Sequence, residues 1–110
     1  MSKPRYPTEF EQMVMLAILR AGDEAYGLAI RSELEERAGR KVSHGAAYVT
    51  LERLVKKGYA ETWMGEPSSQ RGGRAKRHFR VTEAGIEALR AAHQAMEELR
   101  DGLEKILEEA

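Results

Sequence analysis

The segment SHGAAYVTLERLVKKG, Ser43 to Gly58, decides the fold, because it reads as a helix with defined ends and two unlike faces. The Ser43 hydroxyl is suited to accept an unpaired backbone N–H of the first turn. Lys56 and Lys57 fall in the last turn, where the helix dipole favours cations. Gly58 supplies the left-handed stop. Ala47, Leu51, Leu54 and Val55 recur at helical spacing and predict one apolar stripe. The other face carries His44, Tyr48, Glu52 and Lys56, with Gly45, Ala46 and Val49 near its start, and lacks the usual cover of Glu and Lys. Two readings fit that face: an ordinary core helix with an exposed tyrosine, or a helix pressed against another molecule.

Working outward toward the N-terminus, MSKPRYP reads as an extended arm. Thr8 and Glu11 have the spacing of a capping box. The helix they open runs to about Ala21 and is expected to bury Phe10, Met13, Val14 and Ala17. Its run MVMLAILR is apolar on most sides, which predicts a central helix, and Gly22-Asp23 ends it. Tyr26-Gly27 opens a second helix, with Leu28, Ile30, Leu34 and Ala38 on its apolar side and Gly39 as its stop. The short link from Gly39 to Val42 then leads into Ser43, which is the helix-turn-helix pattern.

Beyond Gly58 the period changes. Tyr59 to Met64 and His78 to Val81 alternate and are rich in strand-forming side chains, with the polar turn PSSQRGG between them. The predicted hairpin carries Arg71, Arg74, Lys76, Arg77 and Arg80, and no acid lies between Gln70 and Thr82. Such self-repulsion suits a polyanionic partner; a solvated basic loop is the plainer reading. Thr82 caps a last helix predicted to run from Glu83 toward Glu109, roughly 40 Å at the usual rise. Ile86, Leu89, His93, Met96, Leu99, Leu103, Ile106 and Leu107 recur along it at helical spacing. A small core cannot cover that length, so the distal stripe is expected to pack on a second chain. The spacing breaks a strict heptad, which favours a compact helical dimer over a long coiled coil.

Length and composition set the bounds. The 110 residues suit one domain with a modest core, and 42% apolar with 33% charged residues excludes wholesale disorder. Without cysteine, disulfides and thiolate metal sites are excluded. No apolar run approaches a membrane span and no signal-peptide pattern opens the chain, so a cytoplasmic location and no membrane partner are expected. Net neutrality hides an asymmetry: residues 1–82 carry 15 Lys and Arg against 10 Asp and Glu, and residues 83–110 carry 3 against 8. A basic part and an acidic tail with separate tasks follow. An enzyme reading finds little. His44, His78 and His93 lie on separate elements without metal-ligand spacing, and GGRAK is no phosphate loop. No catalytic residue, metal or cofactor is expected.

The order of elements is that of a winged helix-turn-helix with a C-terminal arm. Tyr26-Gly27, then Ser43-x-Gly45-Ala46-x-Tyr48-x-x-Leu51-x-x-Leu54, Gly58, and Gly72-Gly73-Arg74-x-Lys76-Arg77-x-Phe79-x-Val81-Thr82-x-x-Gly85 together make a set. That set resembles the PadR family of bacterial transcriptional regulators over about residues 9–90, and the single helix after the wing is similar to its small subfamily. The resemblance implies a mainly α fold with a small β-hairpin, divided into a winged-helix DNA-binding domain at 1–82 and a dimerisation helix at 83–110. It also implies a homodimer on a near-palindromic site in double-stranded DNA, acting as a repressor relieved by small phenolic or drug-like molecules. Ala47 stands where the family usually has a larger aliphatic residue, and Val49 where it usually has proline. Residues 83–110 contain no Trp, Tyr or Phe, so the aromatic drug platform of some short relatives is missing.

The candidate DNA contacts are Ser43, His44 and Tyr48 on the third helix and Arg74, Lys76 and Arg77 on the wing. Tyr48 would reach a phosphate through its hydroxyl, or else pack against the wing. Leu89, His93 and Met96 are the candidate lining for a small hydrophobic effector at the dimer seam. Trp63, the sole tryptophan, is expected to anchor the wing to the core. A winged helix that binds protein rather than DNA is the competing function, and the salt dependence of binding separates the two.

Overall fold

The computed structural model describes residues 6–66 and 75–109. The basic residues Arg71 and Arg74 of the hairpin tip lie outside them. Helix α1 (Glu9–Ala21) begins with the reciprocal bonds its spacing predicts: the Glu11 N–H donates to Thr8 Oγ1 at 3.1 Å, and the Thr8 N–H donates to the Glu11 carboxylate at 2.8 Å. A short 3₁₀ turn (Gly22–Glu24) leads to α2 (Gly27–Ala38), which stops at Gly39 with φ +63°. Helix α3 (His44–Lys56) follows. Val14, Met15, Ile18, Ile30, Leu34, Leu51 and Leu54 meet at the centre of the three helices, so α1 is the middle element expected from its apolar run. One side of α1 stays open, with Leu16 and Leu19 about half exposed.

Leu28 departs from expectation. It is 65% exposed. The inward line of α2 runs through Gly27, Ile30 and Leu34, and residue 28 is turned about 100° from residue 27.

Strands β1 (Ala60–Met64) and β2 (Arg77–Val81) pair antiparallel, Ala60 opposite Val81 and Met64 opposite Arg77. Alternation turns Phe79 and Val81 into the core. A third, very short edge joins them: Tyr26 bridges His78, and the Phe79 N–H donates to the Ala25 carbonyl at 2.9 Å. Two residues are too few to announce a strand in the sequence.

Helix α4 (Glu83–Arg100) is capped by Thr82, whose Oγ1 accepts the Gly85 N–H and donates to the Gly58 carbonyl. Gly85 lies so close to the carbonyl oxygen of Tyr59 that a Cβ there would collide with it. Ile86 and Leu89 pack on the core and Ala92 is buried; farther on, the helix leaves the body of the protein. The single helix expected to run toward Glu109 is interrupted. Asp101 is extended, Gly102 adopts φ +86°, and a separate α5 (Glu104–Glu109) follows. Asp-Gly is a turn-forming pair, and here it outweighs the helical periodicity on either side. Met96, Leu99, Leu103, Ile106 and Leu107 are all exposed along α4 and α5.

Candidate nucleic-acid interface

Helix α3 is built as its sequence requires. The Ala46 N–H donates to Ser43 Oγ at 3.1 Å, which caps the first turn; among the described residues the Ser43 hydroxyl donates to none. Gly58 follows the helix with φ +81°. Ala47, Thr50, Leu51 and Leu54 are buried, which fixes the inward side. Ser43, His44, Gly45, Ala46, Val49, Glu52, Arg53 and Lys56 remain exposed.

Tyr48 sits at the edge between the two faces and is half-buried. Its ring meets Phe79 of the wing edge-to-face at 6.0 Å and lies 4.5 Å from the His44 ring. A Cβ on Gly27 would come within 2.9 Å of the Tyr48 ring and 3.1 Å of its hydroxyl. The glycine at the start of α2 therefore makes room for this tyrosine, and the Tyr-Gly pair at 26–27 has a packing reason. Tyr48 packs on the wing and also holds its hydroxyl at the N-terminal end of α2.

The described wing cations, Lys76, Arg77 and Arg80, are each engaged within the fold. Arg77 donates from Nε to Thr62 Oγ1 at 2.9 Å, pairs with Glu52 of α3 at 2.5 Å, and lies over the Phe79 ring. It clamps the wing to α3. The Lys76 ammonium sits 4.1 Å above the Tyr26 ring, a cation–π contact. Arg80 pairs with Glu61 across the strands and covers Trp63. Trp63, about half exposed, stacks on His78 with Arg80 over its ring. With Ile18, Leu19, Phe79 and Val81 it lines a cleft between the wing and the end of α1, so it borders the core without being buried in it.

Sequence reading missed three features. Arg40 and Lys41, in the turn before Ser43, line one shallow groove with Ala46 and Val49. Two adjacent cations before an N-cap were a visible signal. Arg53 and Lys56 extend the exposed positive edge of α3. Lys57, read as a dipole partner, instead reaches back to α1 and holds both oxygens of the buried Glu11, at 2.8 and 3.0 Å. Burial alone would raise the Glu11 pKa. The Lys57 hydrogen bond, the Thr8 N–H and the charges of Lys57 and Arg53 outweigh burial and hold it below the usual carboxylate value.

The effector candidates lie along one face of α4. Leu89 is turned toward its own core, Met96 is exposed, and His93 is exposed and bonds Glu97 one turn on at 3.3 Å. Among the described residues no group of three or more His, Asp or Glu could hold a metal ion, and no helix is long and apolar enough to cross a membrane.

A helix-turn-helix whose capped third helix presents an open side, with a hairpin clamped beside it, defines the winged-helix class of transcription regulators. The chain matches the model of the transcriptional regulator PadR-like family over residues 15–91 and belongs to that family. It is 41% identical over 96 residues to the transcriptional regulator Rv3488 of Mycobacterium tuberculosis, covering 83% of each chain. Among solved structures, a PadR-like transcription factor from Bacteroides fragilis is 26% identical, with a TM-score of 0.69 and 88% of each chain covered. A PadR family regulator from Clostridium difficile shares the fold at 20% identity, with a TM-score of 0.70 over 89% of this chain and 98% of that one. The family consists of transcriptional regulators, not enzymes.

Proposed function

We propose that this protein is a homodimeric repressor that occupies a near-palindromic promoter site and is released by a small hydrophobic ligand. The observation that carries the reading is the open side of α3, with its exposed Ser43 hydroxyl and the cations Lys41, Arg53 and Lys56 around it. The helix N-terminus and Ser43 would hold one phosphate, and the Tyr48 hydroxyl with the start of α2 another. His44 is within reach of base edges. Lys76 and Arg77, with Arg74 outside the described residues, would add backbone contacts from the wing. Residues 1–82 would then do the binding and residues 83–110 the pairing of protomers.

The exposed row from Met96 to Leu107, together with Leu16 and Leu19 on α1, supports pairing through the C-terminal segments. A two-fold dimer presents two α3 helices, so half-sites would lie about one helical turn, roughly 10 bp, apart or a multiple of it. Leu89, His93 and Met96 would line the effector site where two arms face each other. The effector must bind the DNA-free state more tightly, since equal affinity shifts nothing.

The experiment is selection of bound fragments from the host genome by the purified protein, followed by affinity at several salt concentrations. A steep fall in affinity with salt is expected, flattened when Arg74, Lys76 and Arg77 are all replaced by alanine. No enriched fragment, or binding indifferent to salt, would refute DNA binding and favour a protein partner. Failure of planar hydrophobic compounds to weaken operator binding would remove the effector.

A further inference from the structure

The outward side of α3 carries two residues that the fold itself does not ask for. With about 100° between successive residues, the buried Ala47, Thr50, Leu51 and Leu54 place Gly45, Val49 and Lys56 on the opposite side. Val49 stands at its centre and is 58% exposed. Valine is β-branched, which lowers helix propensity slightly, and its aliphatic side chain makes no hydrogen bond with water. Gly45 lies one turn earlier. A Cβ there would meet no heavy atom within 4 Å, and Gly45 is not among the glycines with positive φ. Glycine inside a helix destabilises it relative to alanine, so internal packing gives no reason for this one.

Both departures fall at one place, beside Ser43, Lys41 and Arg53. A helical side chain leans over the turn N-terminal to it, so Val49 projects across the gap left by Gly45. In the major groove only thymine offers an apolar group, its C5-methyl, and aliphatic side chains contact it. Glu52, the other residue on this line, is held by Arg77 and does not compete.

Resting on the DNA-binding reading above, we infer that Val49 reads a thymine methyl in each half-site. Gly45 keeps the helix close enough for that contact. His44 and Arg53 flank it as the hydrogen-bonding groups.

The test uses the full-length protein and duplexes enriched by it from a random-sequence pool. Each thymine of the enriched site is exchanged singly for deoxyuridine, which removes only the methyl. One position per half-site should lose about fourfold in affinity, the transfer free energy of a single buried methyl group. Val49→Ser should lower affinity for the thymine duplex by a similar factor and abolish the response to deoxyuridine at that position. Gly45→Ala should raise the melting temperature while weakening binding about tenfold, the scale of one lost base contact. An enriched site that tolerates every exchange, or a Val49→Ser protein that still senses the methyl, overturns the inference alone. Unchanged binding by Gly45→Ala overturns the role given to Gly45. A pool that never enriches overturns the DNA-binding reading and this inference with it.

Discussion

Replacing Lys57 by methionine should cost the fold about 3 kcal/mol, the lower end of what breaking a buried ion pair costs. Glu11 is fully buried, and its carboxylate has three bonds: two from the Lys57 ammonium and one from the Thr8 N–H. Methionine keeps the stem of Lys57 and removes two of those bonds together with the cation that makes them. The lower end of the range applies because the Lys57 side chain is 34% exposed, so water can reach part of the vacated place. In a domain of this size each kcal/mol moves the midpoint by about 4–8 °C, so a fall of about 12 °C or more is expected. Thermal melts followed by circular dichroism at fixed protein concentration would measure it. Glu11→Gln should cost less, because its carbonyl still accepts from Thr8 and Lys57 can turn to solvent. Adding Lys57→Met to Glu11→Gln should cost about 1 kcal/mol further at most, because no buried charge is left unpaired. The sign with pH follows from the lowered Glu11 pKa. The pair stabilises the fold above the unfolded carboxyl value of about 4.3, and that stability is lost as pH falls below it toward the folded value. Acid should therefore harm the wild type more than Glu11→Gln. A Lys57→Met protein melting within about 2 °C of wild type, well under one kcal/mol on that scale, would refute the account.

Three further outcomes are expected. Gly85→Ala should destabilise by at least about 2 kcal/mol in a denaturant titration, because its Cβ would strike backbone rather than a movable side chain. Removal of residues 101–110 should shift sedimentation toward monomer and leave the helical signal per residue nearly unchanged, since Leu103, Ile106 and Leu107 are exposed in the single chain. Tyr48→Phe keeps the ring packed on Phe79, so melting should be unaltered while operator affinity falls about fivefold, the worth of one hydrogen bond.

The elements were legible where local chemistry governs them. Thr8, Ser43 and Thr82 announce helix starts, Gly39 and Gly58 announce stops, and the buried sets of α1 and α3 follow their spacing. The C-terminal arm was misread because helical periodicity persists across Asp101-Gly102 and hides the turn between them. That α3 leaves Gly45, Ala46 and Val49 exposed was legible from its bare outer side. What its neighbours do was not. Lys57 looked like any cation in a last turn; that it meets Glu11, 46 residues earlier, depends on how α1 lies against α3. The clamp made by Arg77 and the bridge from Tyr26 to His78 likewise join residues far apart in the chain. Pattern along a sequence carries no record of such meetings.

The ties between wing and helices have a mechanical consequence. Arg77 links β2 to both β1 and α3, Tyr48 wedges against Phe79, and the backbone bridge fastens β2 to the start of α2. Among the described residues, the two wing strands and α3 are thus tied into one bracket. In a dimer the adjustable quantity is the span between two brackets, set where α4 leaves the body and where Asp101-Gly102 turns toward α5. On the dimeric DNA-binding reading proposed above, half-site sequence and half-site spacing would be inherited from different parts of the chain. On that reading, a hybrid carrying a relative's residues 83–110 should keep this protein's half-site and adopt the relative's spacing, changing the ruler while leaving the reader alone.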